Sequence, residues 1–241
     1  MDRVGEVARF YELLHRLEQR CGGRRLLSEC DGRMGWPRRG LYFFFEPGER
    51  RTDSGAGDRL VRVGTHALKE RSRSTLWGRL SQHRGTARSG TGNHRSSIFR
   101  LLVGSALRAR AATSEPLSWG VAQDAGAAAR RLGVNREALR QAEAPLETEV
   151  STIIGSMPFL WLSLEDPPGP DSERGYVERN AIALLSNFGK EPVDAPTSSW
   201  LGGQSDRERV RRSGLWNNNH VEDAYEPGFL DRLGQLIESQ P

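Results

Sequence analysis

Two apolar runs separated by turn-forming residues are the feature that most constrains the fold. Residues 40–46, GLYFFFE, are rich in aromatic side chains and typical of a β-strand. Residues 59–67, RLVRVGTHA, predict a second strand, and residues 47–58, PGERRTDSGAGD, have the composition of a turn. Two strands joined in this way predict an antiparallel β-hairpin.

Helical patterns and one further strand surround this hairpin. Apolar residues recur at helical steps in residues 2–20, and helices are also predicted in TLWGRLSQH, SSIFRLLVGSALRAR and YVERNAIALLSNF. Residues 111–150 have the composition of helical segments, and MPFLWLSLED, residues 157–166, predicts a third strand. The expected fold class is α+β (mixed α/β), with a small central sheet of an antiparallel hairpin plus a third strand, surrounded by helices.

The length of 241 residues suits a single domain. We expect an N-terminal helical extension over residues 1–37, a core over 38–190 with a helical insertion at about 97–150, and a C-terminal helical tail over 191–241. No apolar run approaches the roughly 20 residues of a membrane-spanning helix, and the N-terminus does not resemble a signal peptide. A cytoplasmic protein with reduced thiols at Cys21 and Cys30 is therefore expected.

Positive charge is concentrated in one part of the chain. The sequence has 35 basic residues, of which only Lys69 and Lys190 are lysines, and Glu70 is the only acidic residue from Arg59 to Arg110. Because the planar guanidinium suits phosphate, nucleic acid is the predicted partner. A solvated basic face, or a genomic bias towards arginine, explains the same composition.

The order of these segments resembles the GIY-YIG nuclease superfamily. Gly40-Leu41-Tyr42 stands where that family has its first Gly-Ile-Tyr, and Arg62-Val63-Gly64 stands where it has Tyr-Ile-Gly. The next helix carries Arg79 at the family's arginine and His83 four residues later. YVERNAIALL resembles the later helix of the family, with its metal-binding glutamate at Glu178. The resemblance covers roughly residues 38–190.

The resemblance implies a phosphodiesterase site. Tyr42 would assist deprotonation of the attacking water, with His83 or His66 helping to take the proton. Arg79 would hold the scissile phosphate, and Glu178 would bind Mg²⁺ (or Mn²⁺), an ion that commonly uses only one or two protein carboxylates. The alternative interpretations are a tyrosine packed in the core and a glutamate placed near a helix N-terminus.

Arg62 is a departure from the family, because it replaces the second motif tyrosine. An arginine stays protonated, so it serves neither as acid nor as base. Either Arg62 takes over a positioning role by contacting phosphate, or the chain is a catalytically inactive nucleic-acid-binding protein on the same fold.

A loop and its flanks are predicted to bind nucleic acid. These residues are Arg84, Asn93, His94, Arg95 and Arg100, with Asn187 as a candidate for the family's downstream asparagine. The resulting function is a metal-dependent DNA endonuclease, acting in restriction or anti-phage defence or in DNA repair. A homodimer is expected if the enzyme cuts both strands of a symmetric site.

Overall fold

The computed structural model describes residues 2–240, which form an α+β fold, so the predicted class is confirmed. The helices are α1 (Arg3–Arg20), α2 (Leu76–Arg84), α3 (Ile98–Arg110), α4 (Ala125–Leu132), α5 (Arg136–Gly155), α6 (Glu173–Leu185), α7 (Glu208–Ser213) and α8 (Phe229–Glu238). The strands are β1 (Arg25–Leu26), β2 (Gly40–Arg50), β3 (Asp58–Gly64) and β4 (Pro158–Ser163). Within residues 2–240, no helix is both long and apolar enough to span a membrane.

In the described part of the chain, the four strands form one sheet in the order β1-β4-β2-β3, with every neighbouring pair antiparallel. The predicted hairpin is present, and Tyr42 lies opposite Gly64 in its register. Strand β2 extends to Arg50, beyond the predicted end, because an irregularity in the pairing accommodates Pro47 and Gly48. Strand β1 was not predicted, since two residues carry no periodicity.

The sheet separates two apolar layers, because successive side chains on a strand point to opposite faces. Phe43 and Phe45 belong to the cluster that includes side chains of α1, α6 and α8. Tyr42 and Phe44 belong to the other cluster, with side chains of α2, α3 and α5. The run of aromatic residues in β2 therefore supplies both cores in alternation.

The region predicted as a helical insertion contains α3, α4 and α5. The prediction of helical structure from residue 111 onwards is wrong for residues 111–124, which form a loop. Buried ion pairs hold α5 to the segment before it: Arg100 of α3 pairs with Glu147, and Arg95, in the turn that precedes α3, pairs with Glu143. The Arg100 guanidinium also donates to the His83 carbonyl oxygen at 2.9 Å, which ties α3 to the end of α2.

Part of the C-terminal region lies along the outer edge of β3. The Trp216 backbone N–H donates to the Val61 carbonyl at 2.7 Å. The Asn217 side chain then accepts from the Val63 N–H at 3.2 Å and donates to the Val63 carbonyl at 2.8 Å. This amide satisfies the strand edge as a neighbouring strand would, and it directs the following residues towards the end of β3.

Candidate active site

A cleft of about 440 Å³ contains most of the predicted catalytic residues. It lies beside β2, β3, α2 and α6, and a C-terminal segment, residues 217–220, forms one wall. The sequence-predicted residues that line it are Tyr42, Arg62, Arg79, His83 and Glu178. Among the other lining residues are Asn217, Asn218, Asn219 and His220.

Tyr42, His83 and Ser97 form a buried line of hydrogen bonds. The Tyr42 hydroxyl lies 2.8 Å from His83 Nε2, and His83 Nδ1 lies 2.7 Å from Ser97 Oγ. Ser97 is the N-cap of α3, where its hydroxyl also accepts from the Arg100 N–H. Both imidazole nitrogens therefore have a partner, and the ring orientation is fixed.

Gly64 allows the Tyr42 ring to lie flat against β3. A Cβ atom at residue 64 would overlap the ring and hydroxyl of Tyr42, which is directly opposite in the hairpin register. The glycine of the second motif thus makes room for the tyrosine of the first.

Burial keeps both Tyr42 and His83 neutral at pH 7. Desolvation raises the pKa of Tyr42, and the nearby guanidinium groups of Arg62 and Arg79 oppose this less strongly. Desolvation also lowers the pKa of His83 well below 6.5, and the charge of Arg62 adds to this effect. A neutral phenol and a neutral imidazole are a proton donor and a proton acceptor in hydrogen-bond contact.

Arg62 and Arg79 place positive charge at the cleft. Arg62 donates to the Trp216 carbonyl, and its guanidinium lies over the Phe99 ring at 4.7 Å. Arg79 donates to Gln82 Oε1 at 2.9 Å and to the Ser96 carbonyl at 3.3 Å. Within residues 2–240, the Nε atoms of both arginines are buried without a hydrogen-bond partner. Two guanidinium groups that line one cleft supply positive charge suited to an anion.

Glu178 is suited to hold a divalent cation. Its carboxylate accepts the Thr65 N–H at 3.1 Å. Desolvation raises the pKa of Glu178, with Arg62 and then His220 opposing the shift. Among the described residues, no cluster of three or more His, Cys, Asp or Glu side chains is present. Mg²⁺ in phosphate-processing sites is held by one or two carboxylates together with waters and substrate phosphates, and Glu178 offers one such carboxylate.

Comparison with known families identifies the family of this chain. A family model described as a GIY-YIG domain matches residues 1–241. The chain belongs to the GIY-YIG family. The GIY-YIG domain indicates a nuclease-type function, for which DNA is the substrate that the family implies. Comparisons with curated proteins and with solved structures give no match.

His66, a predicted base in this GIY-YIG chain, lies outside the cleft lining. Its Nδ1 donates to the Ser74 carbonyl at 3.1 Å. Burial, followed by the charge of Arg174, lowers the pKa of His66 to about 4. The imidazole is neutral at pH 7, but it does not share the cleft with Tyr42.

The residues predicted to bind nucleic acid are largely engaged inside the protein. His94 contacts Glu147 at 2.9 Å and stacks on Trp119. Arg95 and Arg100 form the buried pairs described above, and they are not available at the surface.

The remaining three of these residues also have protein partners. Arg84 donates to the Cys30 carbonyl, and Asn93 caps a 3-10 turn at residues 94–96. The Asn187 amide oxygen accepts from Arg3 at 2.9 Å and from the Val193 N–H at 3.0 Å.

Sequence reasoning did not place the C-terminal segment or Ser97 at the site. The run of Asn217, Asn218, Asn219 and His220 was visible as a polar cluster, but nothing in its spacing indicated that it lies beside β3. Ser97 was visible only as a residue at the start of a helix.

Proposed function

We propose that this protein is a metal-dependent DNA endonuclease that hydrolyses phosphodiester bonds in the cleft containing Tyr42. The observation that carries the proposal is the convergence of a phenol, an imidazole, two guanidinium groups and a carboxylate at one cleft. These groups come from β2, β3, α2 and α6, and a phosphodiester needs positive charge on its phosphate and a route for the proton of water.

The proton route runs from the attacking water to Tyr42 and then to His83. As the Tyr42 oxygen takes a proton from water, its own proton passes to His83 Nε2. The His83 tautomer that this transfer requires carries its proton on Nδ1, where Ser97 Oγ accepts it. The neutral states of Tyr42 and His83 support this order, since neither group has to be charged in the resting enzyme.

Arg79 and Arg62 would bind the scissile phosphate. Their positive charge and their position in the cleft lining beside Tyr42 support a clamp on the phosphate oxygens. Arg62 would thus replace the second motif tyrosine by positioning rather than by proton transfer.

Glu178 would hold Mg²⁺ or Mn²⁺. When bound, this ion stabilises the negative charge of the departing oxygen. The Thr65 N–H fixes one oxygen of the Glu178 carboxylate, so the side chain is oriented before the ion arrives.

The alternative is a DNA-binding protein without catalysis, and Arg62 is the observation that favours it. Cytoplasmic location, dimerisation and a role in restriction, anti-phage defence or repair stay predictions.

The test is nicking of supercoiled plasmid in Mg²⁺ by the full-length protein. Tyr42→Phe removes only the hydroxyl, and we expect the rate to fall at least about 100-fold, the range of general acid–base catalysis. Tyr176→Phe on α6, a residue that does not line the cleft, is the matched control and should nick at the wild-type rate.

Glu178→Gln tests the proposed metal ligand with the same assay. It should abolish nicking, whereas Glu173→Gln on the same helix, which loses only an exposed pair with Arg232, should not. Retained DNA binding in both Tyr42→Phe and Glu178→Gln would show that the chemistry was lost rather than the fold. Wild-type nicking by Tyr42→Phe contradicts the proposed proton route, and absence of nicking by the wild-type protein favours the non-catalytic alternative.

A further inference from the structure

Two helices of the insertion are joined by a very short turn. Helix α4 ends at Leu132, and Gly133 follows in the left-handed region with φ of 67°. Helix α5 begins at Arg136, and the Asn135 side chain caps it by accepting the Glu137 N–H at 2.7 Å. Two helices linked by a three- to four-residue turn that contains glycine are the elements of a helix-turn-helix.

Small side chains hold the two helices together. Ala128, Ala129 and Leu139 form a small apolar cluster separate from the two main cores. The alanines permit close approach of α4 to α5, and Leu139 is the one buried residue in the first two turns of α5. The rest of residues 136–142 is exposed, so the start of α5 projects into solvent.

The other half of α5 is anchored firmly in the protein. Val150 and Ile154 belong to a main core, and Glu143 and Glu147 form buried pairs with Arg95 and Arg100. Helix α5, which contains Pro145, is therefore fixed in the protein by its C-terminal half, while its first two turns pack on α4 and project into solvent.

Four exposed arginines surround this free end, at positions 130, 131, 136 and 140. Among residues 2–240 none of the four forms a salt bridge, although the Ala127 N–H, followed by the charges of Arg130 and Arg136, holds the pKa of the nearby Asp124 below its ordinary value. On α5, Arg136 and Arg140 are one turn apart and share a face. Arginine is a side chain that binds guanine edges in the major groove.

We propose that α4 and α5 form a helix-turn-helix that binds duplex DNA, with the first two turns of α5 in the major groove. Arg136 and Arg140 contact base edges, while Arg130 and Arg131 contact the phosphate backbone. The inference extends the proposed endonuclease by naming the element that reads its substrate, but it concerns binding and not cleavage.

Helix α5 also links the exposed arginines to the neighbourhood of the cleft. At 1.5 Å per residue, Arg136 lies about 16 Å along the axis from Glu147. Glu147 holds Arg100, which in turn holds the His83 carbonyl. Helix α5 therefore connects the proposed DNA-binding turns to residues that hold the end of α2, which carries His83.

A second copy of the chain is the competing occupant of this surface. Leu132 and Val134 at the turn are exposed, at 38% and 47%. Four unpaired arginines would oppose a contact between two like surfaces, whereas they favour an anionic partner. DNA is therefore the occupant that the charge supports.

The test is DNA affinity of the full-length protein in EDTA, measured by fluorescence anisotropy on duplex DNA over a range of salt concentrations. The double substitution Arg136→Gln and Arg140→Gln should lower the affinity at least tenfold and reduce the salt-dependence slope by about one to two. The control is Arg16→Gln with Arg20→Gln on α1, which should bind as the wild type. Because all four substituted arginines are exposed, the far-UV circular dichroism spectrum of each double variant should match that of the wild type.

Selection of binding sites from random duplexes gives a second readout. The wild type should enrich guanine at fixed positions, and Arg136→Gln should lose one of these positions.

The inference is overturned if the α5 double variant keeps wild-type affinity and salt slope. It is also overturned if Leu132→Ser with Val134→Ser abolishes a dimer while the arginine variants bind DNA normally. The two proposals fail separately: DNA binding that depends on Arg136 and Arg140 without nicking refutes only the endonuclease, and nicking with unchanged binding by the double variant refutes only the helix-turn-helix.

Discussion

Glu147→Gln is expected to be strongly destabilising, because it removes the charge that compensates a buried arginine. Arg100 is fully buried, and its Nε donates to Glu147 Oε2 at 2.9 Å. Glu147 also accepts from the His94 N–H and contacts the His94 ring. A glutamine retains some hydrogen bonds but leaves the Arg100 charge without a counter-ion.

The expected loss of unfolding free energy is about 3–5 kcal/mol, the usual effect of removing one partner of a buried ion pair. This is a large share of the roughly 5–15 kcal/mol that stabilises a typical protein. For a chain of this size, about 2–4 °C of Tm is lost per kcal/mol, so Tm should fall by roughly 6–20 °C.

Thermal unfolding followed by circular dichroism, together with urea unfolding, measures this loss. Glu149→Gln, two residues away on α5, is the matched control, because its pair with Arg110 is exposed and 3.6 Å long. That change should cost less than about 1 kcal/mol. Equal stability losses in the two variants would refute the reasoning that burial of the Arg100–Glu147 pair sets the effect.

The difference should also depend on pH. Burial opposes ionisation of Glu147, but its contacts with His94 and Arg100 prevail and hold the pKa of Glu147 below its ordinary value of 4.5. A group whose pKa is lowered by folding stabilises the protein above the unfolded pKa and loses this contribution as the pH falls through the folded pKa. The stability gap between wild type and Glu147→Gln should therefore be complete above about pH 4.5 and should shrink in more acidic solution.

Two further substitutions test the site itself. Gly64→Ala should lower the nicking rate and cost about 1–3 kcal/mol of unfolding free energy, because the new methyl group overlaps Tyr42; wild-type nicking would contradict the packing described here. Ser97→Ala should slow nicking about three- to tenfold and alter the pH–rate profile, since His83 loses the hydrogen bond that selects its tautomer, and Ser97→Thr should restore both. A profile unchanged in Ser97→Ala would exclude this positioning role.

The hairpin and the helix that follows it were readable from sequence, because their signals are local. Aromatic residues in β2, turn residues after it and the Thr75 cap of α2 each act within a few positions. The short turn Gly133-Val134-Asn135 is also encoded by neighbouring residues. The sequence indicates no function for it, because the surrounding segment is rich in alanine and has no recognisable catalytic or binding motif.

What the sequence by itself determined is the order of strands and helices and the presence of Tyr42, Arg79, His83 and Glu178 in elements that such a fold brings together. Only the tertiary structure decided which arginines are free. Arg100 and Glu147 are 47 residues apart in sequence, as Asn217 and Val63 are 154 apart. The spacing of apolar residues along a helix or strand indicates which face of that element is buried. The partner that neutralises a buried charge comes from a distant part of the chain, and no local sequence pattern indicates which residue it is.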